Sequence, residues 1–280
     1  MRAKRRVSAV SYLNTSPLIW GLMHGPQQGI FDVALSLPSE CADALRSGEA
    51  DIGLVPSIAL ARQMDLMVVP GCSVSCQGPV RSILFVSRKP MEEIESFAAD
   101  TSSRTSVVLA QVLLARKHGI RPRVRPYPPK LDDMLELADA ALIIGDPALR
   151  IDPTVSEWRG QPLFVYDLGA EWVELTGGPM VFAVWAVKNL VADSGLAGTF
   201  AASAAYGKER LEEIIAVESK SRDLPEDLVR RYLTTHISYG LGEAERQSLA
   251  LFLRSAAELG LVEKVPELTY LEETTLAGRE

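Results

Sequence analysis

Short apolar runs alternate with helix-like stretches along much of the chain, and this order limits the possible folds more than any other feature. The runs VSAVSYL, VALSLP and ADIGLVP are typical of buried strands, and the second and third end in proline. Helical patterns, SECADALRSG and SIALARQ, follow these two runs directly, and Ser39 is predicted to cap the first helix. Because strands separated by helices pair through crossover connections, the alternation predicts an α/β fold with a mostly parallel sheet.

A second block repeats the alternation and indicates an inserted lobe. Its strand-like runs are RSILFVS, RVRPY, AALIIGD, PLFVYDLG and PMVFAVWAV. Two apolar strands, ILFVSR and VFAVWAVK, flank the segment 88–185, so we expect that segment to form lobe two. Lobe one then comprises residues 1–87 and 186–280, with a mainly helical C-terminal region from about Asp193 onward. Two lobes joined by two crossings predict a clamp whose cleft binds a small molecule.

The composition of the chain excludes several classes of function. Its 280 residues carry a net charge of −7, whereas a protein that binds nucleic acid normally presents a basic face. No run approaches the ~18 consecutive apolar residues of a membrane-spanning helix, so no membrane partner is expected. His24, His118 and His236 are scattered along the chain without the spacing of a zinc site. These features favour a globular protein whose partner is a small molecule.

The cysteines and the N-terminus bear on the cellular compartment. Cys41, Cys72 and Cys76 do not make an even set of disulfides, and the last two lack C-x-x-C spacing. The start MRAKRR followed by VSAVSYL resembles a signal peptide, but polar residues interrupt the apolar part and no A-x-A site follows it. We therefore expect a cytoplasmic protein with reduced cysteines.

The strongest candidate for a binding site is the hydroxyl-rich segment TSSRTS, residues 101–106, at the predicted start of a helix. Free N–H groups at a helix start bind anions, and the helix dipole strengthens this binding. Ser103, Thr105 and Ser106 would add hydroxyl donors, and Arg104 would add a fixed positive charge able to grip a carboxylate. The alternative is an ordinary helix cap, for which one hydroxyl residue would suffice. The pattern therefore favours an anion site.

Polar residues at the carboxyl ends of predicted strands are further candidates, because ligands of open α/β sheets bind there. Asn14 and Thr15 follow the first strand, where they could contact a ligand or form a turn or cap before Pro17. Ser39 and Ser57 follow the second and third strands, where a helix cap is the competing interpretation. We take Thr15, Ser39 and Ser57 as candidate substrate-binding residues and Asn14 as a candidate catalytic residue.

Ser82 and Asp146 are the two other candidate catalytic residues. Ser82 lies within an apolar predicted strand, where a buried serine bonded to the backbone is the competing interpretation. Asp146 ends the run AALIIGD and could bind a ligand, act as a base or cap the turn that follows. The chain has no nucleophile elbow, P-loop or G-x-G-x-x-G motif. The patterns alone therefore predict a two-lobed cytoplasmic protein that binds a small carboxylate.

Several motifs in order carry a more specific resemblance. They are SYLNTSPL, LPSECADALRSGEADIGLVPS, VRSILFVSR, DTSSRTSVVLAQVLL, IIGDPAL and YDLGAEWVELTGGPMVFAVWA. Together they resemble the chorismate dehydratases of menaquinone biosynthesis, which look like type II periplasmic binding proteins that have become enzymes. The resemblance covers about residues 7–188 and continues more loosely beyond. The segment TGGPMVFA departs from the family's expected TGLPFVFA at Gly178 and Met180, both beside the second crossing.

The resemblance implies a fold, an activity and roles for the candidate residues. It implies a two-lobed type II periplasmic-binding-protein-like fold and a hydro-lyase that converts chorismate to 3-[(1-carboxyvinyl)oxy]benzoate in the futalosine route. The partner would be this dicarboxylate, no cofactor or metal would be needed, and the enzyme would be a monomer or homodimer. We expect the 103–106 helix start to hold one carboxylate. Asn14 and Ser82 would hold the other or orient the leaving hydroxyl, and the base would be Asp146 or the substrate's own arm carboxylate.

Three alternatives remain at this point. One is the sister enzyme of the pathway that makes 1,4-dihydroxy-6-naphthoate, against which the SRTS helix start and YLNT favour the dehydratase. Another is a non-catalytic carboxylate receptor, which would need export or a lipid-anchor cysteine, and Cys41 lies too far in for that. The third is a LysR-type effector domain, which would bring an N-terminal DNA-binding segment, whereas this chain starts with the first strand.

Overall fold

The structure is a computed structural model that describes residues 4–63, 65–188, 193 and 195–271. Residues 1–3 of the basic start and 272–280 of the C-terminal region therefore lie outside the described residues. The described strands are β1 (Arg6–Val10), β2 (Asp32–Ser36), β3 (Ile52–Pro56), β4 (Leu66–Cys76), β5 (Ile83–Ser87), β6 (Ser96–Asp100), β7 (Arg123–Tyr127), β8 (Ala140–Ile144), β9 (Glu157–Trp158), β10 (Gln161–Pro162), β11 (Phe164–Asp167), β12 (Met180–Lys188), β13 (Ser238–Leu241) and β14 (Thr269–Tyr270).

Helices cover the two larger sheets that these strands form, and β9 pairs with β10 in a separate two-stranded sheet. The described α-helices are α1 (Ser16–His24), α2 (Pro38–Ser47), α3 (Ala59–Arg62), α4 (Thr105–His118), α5 (Leu131–Leu137), α6 (Gly145–Leu149), α7 (Leu168–Thr176), α8 (Gly195–Glu209), α9 (Leu211–Arg222), α10 (Glu226–Arg231) and α11 (Glu243–Glu258). Short 3₁₀ turns span Leu13–Thr15 and Met91–Glu93, and a π-turn spans Tyr232–His236. None of the described helices is long and apolar enough to cross a membrane.

The first sheet has seven strands in the order β13-β4-β12-β3-β1-β2, with β14 beside β4. Strands β2 and β3 run parallel to β1, whereas β12 runs antiparallel to both β3 and β4. The second sheet has the order β11-β5-β8-β6-β7, in which β6 is parallel to β7 and β8 but β5 is antiparallel to β8 and β11. The predicted α/β class is confirmed, but a mostly parallel sheet was wrong, because strands entering each sheet from the other run against their neighbours.

Two segments carry the chain between the sheets. The first is 77–82, between β4 and β5, and the second contains α7, between β11 and β12. The carboxylate of Asp167 accepts the N–H groups of Val80 and Arg81 from one crossing at 2.9 and 2.6 Å. It also accepts those of Gly169 and Ala170 from the other, at 2.9 and 3.1 Å. One half-buried carboxylate therefore fastens the two crossings together.

The division of the chain into lobes stays a prediction, but the sheets place its boundaries elsewhere. β5 pairs within the second sheet, so the change of sheet falls at 77–82 rather than after residue 87. β12 pairs with the first sheet along its whole length, so that change falls before residue 180 rather than at 185. Each flanking strand therefore pairs within one sheet, and periodicity indicates the presence of a strand but not the sheet to which it belongs.

Several local predictions differ from the structure. The stretch ISYGL was expected to be helical but contains β13, which hydrogen-bonds to β4. Ser39 does not cap α2; Leu37 occupies the N-cap, and its N–H donates to the Glu40 carboxylate at 2.8 Å. Ser82 lies just before β5 rather than within a strand. Pairing with β4 decides the first case, and the capping carboxylate of Glu40 decides the second.

Candidate active site

A cavity lies between the two sheets, and residues from both line it. They are Val10, Tyr12, Asn14, Thr15, Pro38, Leu54, Pro56, Val74, Ser82, Ile83, Ser103, Arg104, Thr105, Ser106, Ile144, Gly145, Phe182 and Ala183. Seven of the ten predicted site residues are among them, namely Asn14, Thr15, Ser82, Ser103, Arg104, Thr105 and Ser106. No described lining residue carries a carboxylate, although the chain has a net charge of −7. The cavity is therefore suited to an anion.

The start of α4 supplies donors to this cavity. The helix begins at Thr105, and Arg104 occupies the N-cap position without a side-chain capping bond. The hydroxyls of Ser103 and Ser106 make no hydrogen bond with another described residue, although both side chains are nearly buried. Because the first N–H groups of a helix also lack partners within it, this corner of the cavity holds several donors for one anion.

The guanidinium of Arg104 forms an ion pair with an acidic side chain. Its Nη2 donates to Oδ2 of Asp43 on α2 at 2.5 Å, which links the second sheet's helix to the first sheet's helix. The pKa of Arg62, at the end of α3, is lowered mainly by desolvation. The nearby positive charge of Arg104 lowers this pKa further. Arg104 lines the cavity, whereas Arg62 is exposed and does not line it, and the carboxylate of Asp43 partly compensates the Arg104 charge.

Thr105 and Ser57 hold the two sheets together rather than presenting free hydroxyls. Thr105 Oγ1 donates to the carbonyl of Phe182 on β12 at 3.2 Å and accepts the N–H of Ile58 at 3.3 Å. Ser57 Oγ donates to the carbonyl of Val181 at 2.8 Å and does not line the cavity. The hydroxyl of Ser57 thus has a structural partner and its predicted ligand contact stays a prediction, while the N–H of Thr105 remains at the helix start.

Ser39 also falls outside the cavity lining. Its N–H donates to the carbonyl of Ser102 at 3.2 Å, so it joins α2 to the loop before α4. Pro38, the residue before it, does line the cavity. The predicted contact of Ser39 with the substrate stays a prediction, and the cavity wall at this loop is formed by Pro38.

Asn14 and Thr15 occupy a 3₁₀ turn that is separated from the end of β1 by two residues, and both line the cavity. The Thr15 hydroxyl, which is buried, donates to Oδ1 of Asn14 at 3.3 Å. This bond fixes the amide so that its NH₂ group is the part left for other partners. Pro17 then starts α1 in its first turn, where a missing N–H costs nothing.

Asp146 does not line the cavity, although its neighbour Gly145 does. One carboxylate oxygen accepts the N–H of Leu13 at 3.0 Å, and the other pairs with the guanidinium of Arg222 on α9. Burial raises the pKa of Asp146, against the lowering effect of Arg222. The geometry argues against the predicted role as base, because the carboxylate is committed to an ion pair that holds the Leu13–Thr15 turn.

Tyr12 is a cavity residue that the sequence analysis missed. Its hydroxyl lies 2.9 Å from Ser102 Oγ, which in turn donates to the carboxylate of Asp100 at 2.7 Å. Burial raises the pKa of Tyr12 to about 12, so the phenol stays protonated at neutral pH and donates to Ser102. Tyr12 thereby bridges the first sheet and the second across the cavity. Only its place in the motif SYLNT, two residues before Asn14, could have suggested it.

The described residues show no cluster of three or more His, Cys, Asp or Glu side chains able to hold a metal ion. Cys41, Cys72 and Cys76 are free and buried. The departures at Gly178 and Met180 do not line the cavity; Met180 is buried in β12. What the cavity offers is therefore hydroxyl, amide, N–H and guanidinium donors among apolar walls.

The sequence matches a protein-family model described as menaquinone biosynthesis over residues 5–258. A curated relative, the chorismate dehydratase of Thermus thermophilus, is 30% identical over 262 residues, which cover 89% of this chain and 93% of the relative. Both matches span the two sheets and the cavity between them.

Solved structures show the same fold at low sequence identity. A protein from Archaeoglobus fulgidus has a TM-score of 0.71 at 16% identity, covering 92% of this chain and 98% of that protein. The periplasmic aliphatic sulphonate binding protein SsuA of Escherichia coli has a TM-score of 0.64 at 17% identity, covering 100% and 97%. A Candida albicans protein described as having the generic periplasmic binding protein fold has a TM-score of 0.59 at 14% identity, covering 99% of both chains. The predicted periplasmic-binding-protein-like fold is confirmed.

Proposed function

The chain belongs to the menaquinone-biosynthesis family, and we propose that it is a chorismate dehydratase, a hydro-lyase that forms 3-[(1-carboxyvinyl)oxy]benzoate and water. The observation that carries this proposal is the cavity, which gathers neutral and cationic donors in an acidic protein and has no carboxylate in its described lining. Chorismate has two carboxylates, one on its ring and one on its enolpyruvyl arm. The curated relative's name supports the choice of this dicarboxylate over others.

The two carboxylates would occupy opposite ends of the donor set. The α4 start, with the hydroxyls of Ser103 and Ser106, the Thr105 N–H and the Arg104 guanidinium, would hold one of them. Asn14 and Ser82, which come from the first sheet and the first crossing, would hold the other or orient the leaving hydroxyl. Donors on both sides of the cavity would draw the sheets together around the substrate.

The reaction breaks the C3–H bond and the C4–O bond of the ring. The electron pair of the C3–H bond moves toward the ring carboxylate through the neighbouring C1=C2 double bond, and negative charge builds up there. The C4 hydroxyl then leaves as water, with the proton taken from C3 ending on its oxygen, and the ring becomes aromatic. Fixed donors at the ring carboxylate stabilise this charge more than they stabilise the substrate, which lowers the barrier. Aromatisation supplies the driving force.

The base follows from what lines the cavity. Asp146 is paired with Arg222 outside it, and no described lining residue carries a carboxylate. Of the two candidate bases, we therefore propose the enolpyruvyl carboxylate of the substrate, which is attached through oxygen to C3 and can reach the neighbouring proton. The protein's part would be to hold that arm in position and to stabilise the charge on the ring.

The proposal is tested by mixing purified protein with chorismate and following the aromatic product by ultraviolet absorbance and mass. Ser106→Ala should raise KM for chorismate roughly tenfold, because it removes one donor from the anion end of the cavity. The matched control is Ser255→Ala, at a similarly buried serine on α11 outside the cavity lining, which should leave KM unchanged. A folded wild-type protein that yields no product would overturn the proposal and leave the sister enzyme or a carboxylate-binding protein.

A further inference from the structure

A π-turn at the end of α10 places a buried tyrosine behind the cavity wall. The turn spans Tyr232–His236, and the N–H of Ile237 donates to the carbonyl of Tyr232 at 3.2 Å, five residues back. Such turns are rare and occur frequently at functional sites. Tyr232 is 1% exposed, and the chain leaves the turn directly into β13, which pairs with β4 of the first sheet. The position of its ring is thus set by both helix and sheet.

The hydroxyl of Tyr232 contacts a cavity residue. It donates to Ser82 Oγ at 2.7 Å, and the Ser82 side chain is itself 1% exposed. The Ser82 backbone is held on both sides, since its N–H donates to Val80 and its carbonyl accepts from Gly145, each at 2.8 Å. The remaining freedom at Ser82 is rotation of its side chain and hydroxyl.

The direction of this hydrogen bond decides where the Ser82 proton goes. A serine hydroxyl that accepts from Tyr232 gives its own proton to another acceptor, and no described residue accepts it. Ser82 lines the cavity, so an oxygen of a bound ligand is the acceptor within reach. Without Tyr232 the hydroxyl could rotate to several acceptors, and part of its donor strength would be lost to disorder.

The Tyr232 phenol keeps this role across the neutral pH range. Burial raises its pKa above the usual value, against smaller lowering effects from Ser82 and Asn14. The phenol therefore stays protonated and remains a donor. Asn14 therefore also lies close to the Tyr232 hydroxyl. Tyr232 thus contacts both of the residues, Asn14 and Ser82, that are proposed to act on the second carboxylate or on the leaving hydroxyl.

We propose that Tyr232 is a positioning residue that fixes the Ser82 hydroxyl as a donor toward the substrate. This role rests on the proposed function, since Ser82 would be the group that contacts the substrate. Tyr232 does not touch the substrate and acts through Ser82. The consequence is that Tyr232 and Ser82 form one functional unit, so removing both hydroxyls should cost no more than removing that of Ser82.

A double-mutant cycle on chorismate turnover tests this role. Tyr232→Phe removes the hydroxyl and keeps the ring, and we expect kcat to fall roughly tenfold or more with a smaller change in KM. Ser82→Ala should lower kcat further, and Tyr232→Phe in the Ser82→Ala background should have no added effect. The matched control is Tyr239→Phe in β13, whose buried hydroxyl has no hydrogen-bond partner among the described residues and whose loss should leave kcat unchanged.

The outcomes separate the two proposals. An active wild-type protein whose Tyr232→Phe variant turns over chorismate like Tyr239→Phe would overturn the positioning role alone. Effects of Tyr232→Phe and Ser82→Ala that multiply in the double variant would overturn it as well, because they would show independent action. A folded wild-type protein that does not convert chorismate would overturn both the function and the role built on it. Thermal unfolding of each variant separates a loss of kcat from a loss of folded protein.

Discussion

Gly145 should not tolerate a side chain, and the steric reason for this can be separated experimentally from the effect of its backbone conformation. It lies at the start of α6 with a φ of +66°, a left-handed conformation that costs a residue with a Cβ about 1–2 kcal/mol. A Cβ at this position would also lie 2.5–2.6 Å from three ring carbons of Tyr12. Ordinary carbon contacts are about 3.5–4.0 Å, so the Tyr12 ring would have to move by roughly 1 Å.

That displacement reaches the cavity. The hydroxyl of Tyr12 lies 2.9 Å from Ser102 Oγ, and lengthening this contact by roughly 1 Å takes it beyond hydrogen-bond range. Overpacking of this kind costs about 1–3 kcal/mol, in addition to the backbone cost. Misplacing a cavity wall by ~1 Å can also lower turnover by about a hundredfold. We therefore expect Gly145→Ala to lose roughly 2–5 kcal/mol of unfolding free energy and most of its kcat/KM for chorismate.

The matched control is Gly119→Ala at the end of α4. Gly119 has a φ of +70°, but a Cβ there would meet nothing within 4 Å. It should lose only the backbone term of about 1–2 kcal/mol and keep its turnover. Urea unfolding and chorismate kinetics of the two variants give the comparison. Equal losses of activity in Gly145→Ala and Gly119→Ala would refute the argument that Tyr12 shapes the cavity.

Three further substitutions test the frame around the cavity. Asp167→Asn removes the charge of a carboxylate that accepts four N–H groups from the two crossings, and it should lower the unfolding free energy by about 3 kcal/mol in urea titrations. An unchanged midpoint of urea unfolding would show that the crossings do not depend on this carboxylate. Asp51→Asn should lower the Tm at pH 7, because the hydrogen bond from Arg6 lowers the pKa of Asp51 and stabilises the fold above the carboxyl's unfolded pKa. The difference in Tm between variant and wild type should disappear as the pH falls below about 4. A difference in Tm that does not depend on pH would contradict this. Asp146→Asn should keep kcat within about tenfold of wild type, since the paired carboxylate is not the base, whereas a loss of a hundredfold or more at full folding would restore it to that role.

The fold could be predicted where local pattern and tertiary structure agree. Strands such as Ile52–Pro56 and Ala140–Ile144 are buried along their whole length, so their apolar runs identify them. β13 could not be found in this way, since its four residues continue a helical pattern and become a strand only by pairing with β4. Sheet membership was equally hidden, because Ile83–Ser87 has the same apolar character as strands of the other sheet.

The candidate site residues likewise divide into those that a local pattern indicates and those that depend on contacts between distant parts of the chain. The hydroxyls of the α4 start could be predicted, because a helix start next to arginine is a local pattern with a physical meaning. The pairing of Asp146 with Arg222 joins residues far apart in the sequence, and neither one's neighbours indicate it. Tyr232 has no distinguishing context within its helical stretch. Its importance follows from the turn that points its hydroxyl at Ser82.

A crystal structure of the protein with 3-[(1-carboxyvinyl)oxy]benzoate would test the central claim most directly. The account predicts that the product lies in the cavity between the two sheets. One carboxylate should accept hydrogen bonds from the α4 start at Ser103 and Ser106, and the opposite end should lie against Asn14 and the Ser82 hydroxyl. Product bound elsewhere, or in the cavity without contact to the α4 start, would contradict it.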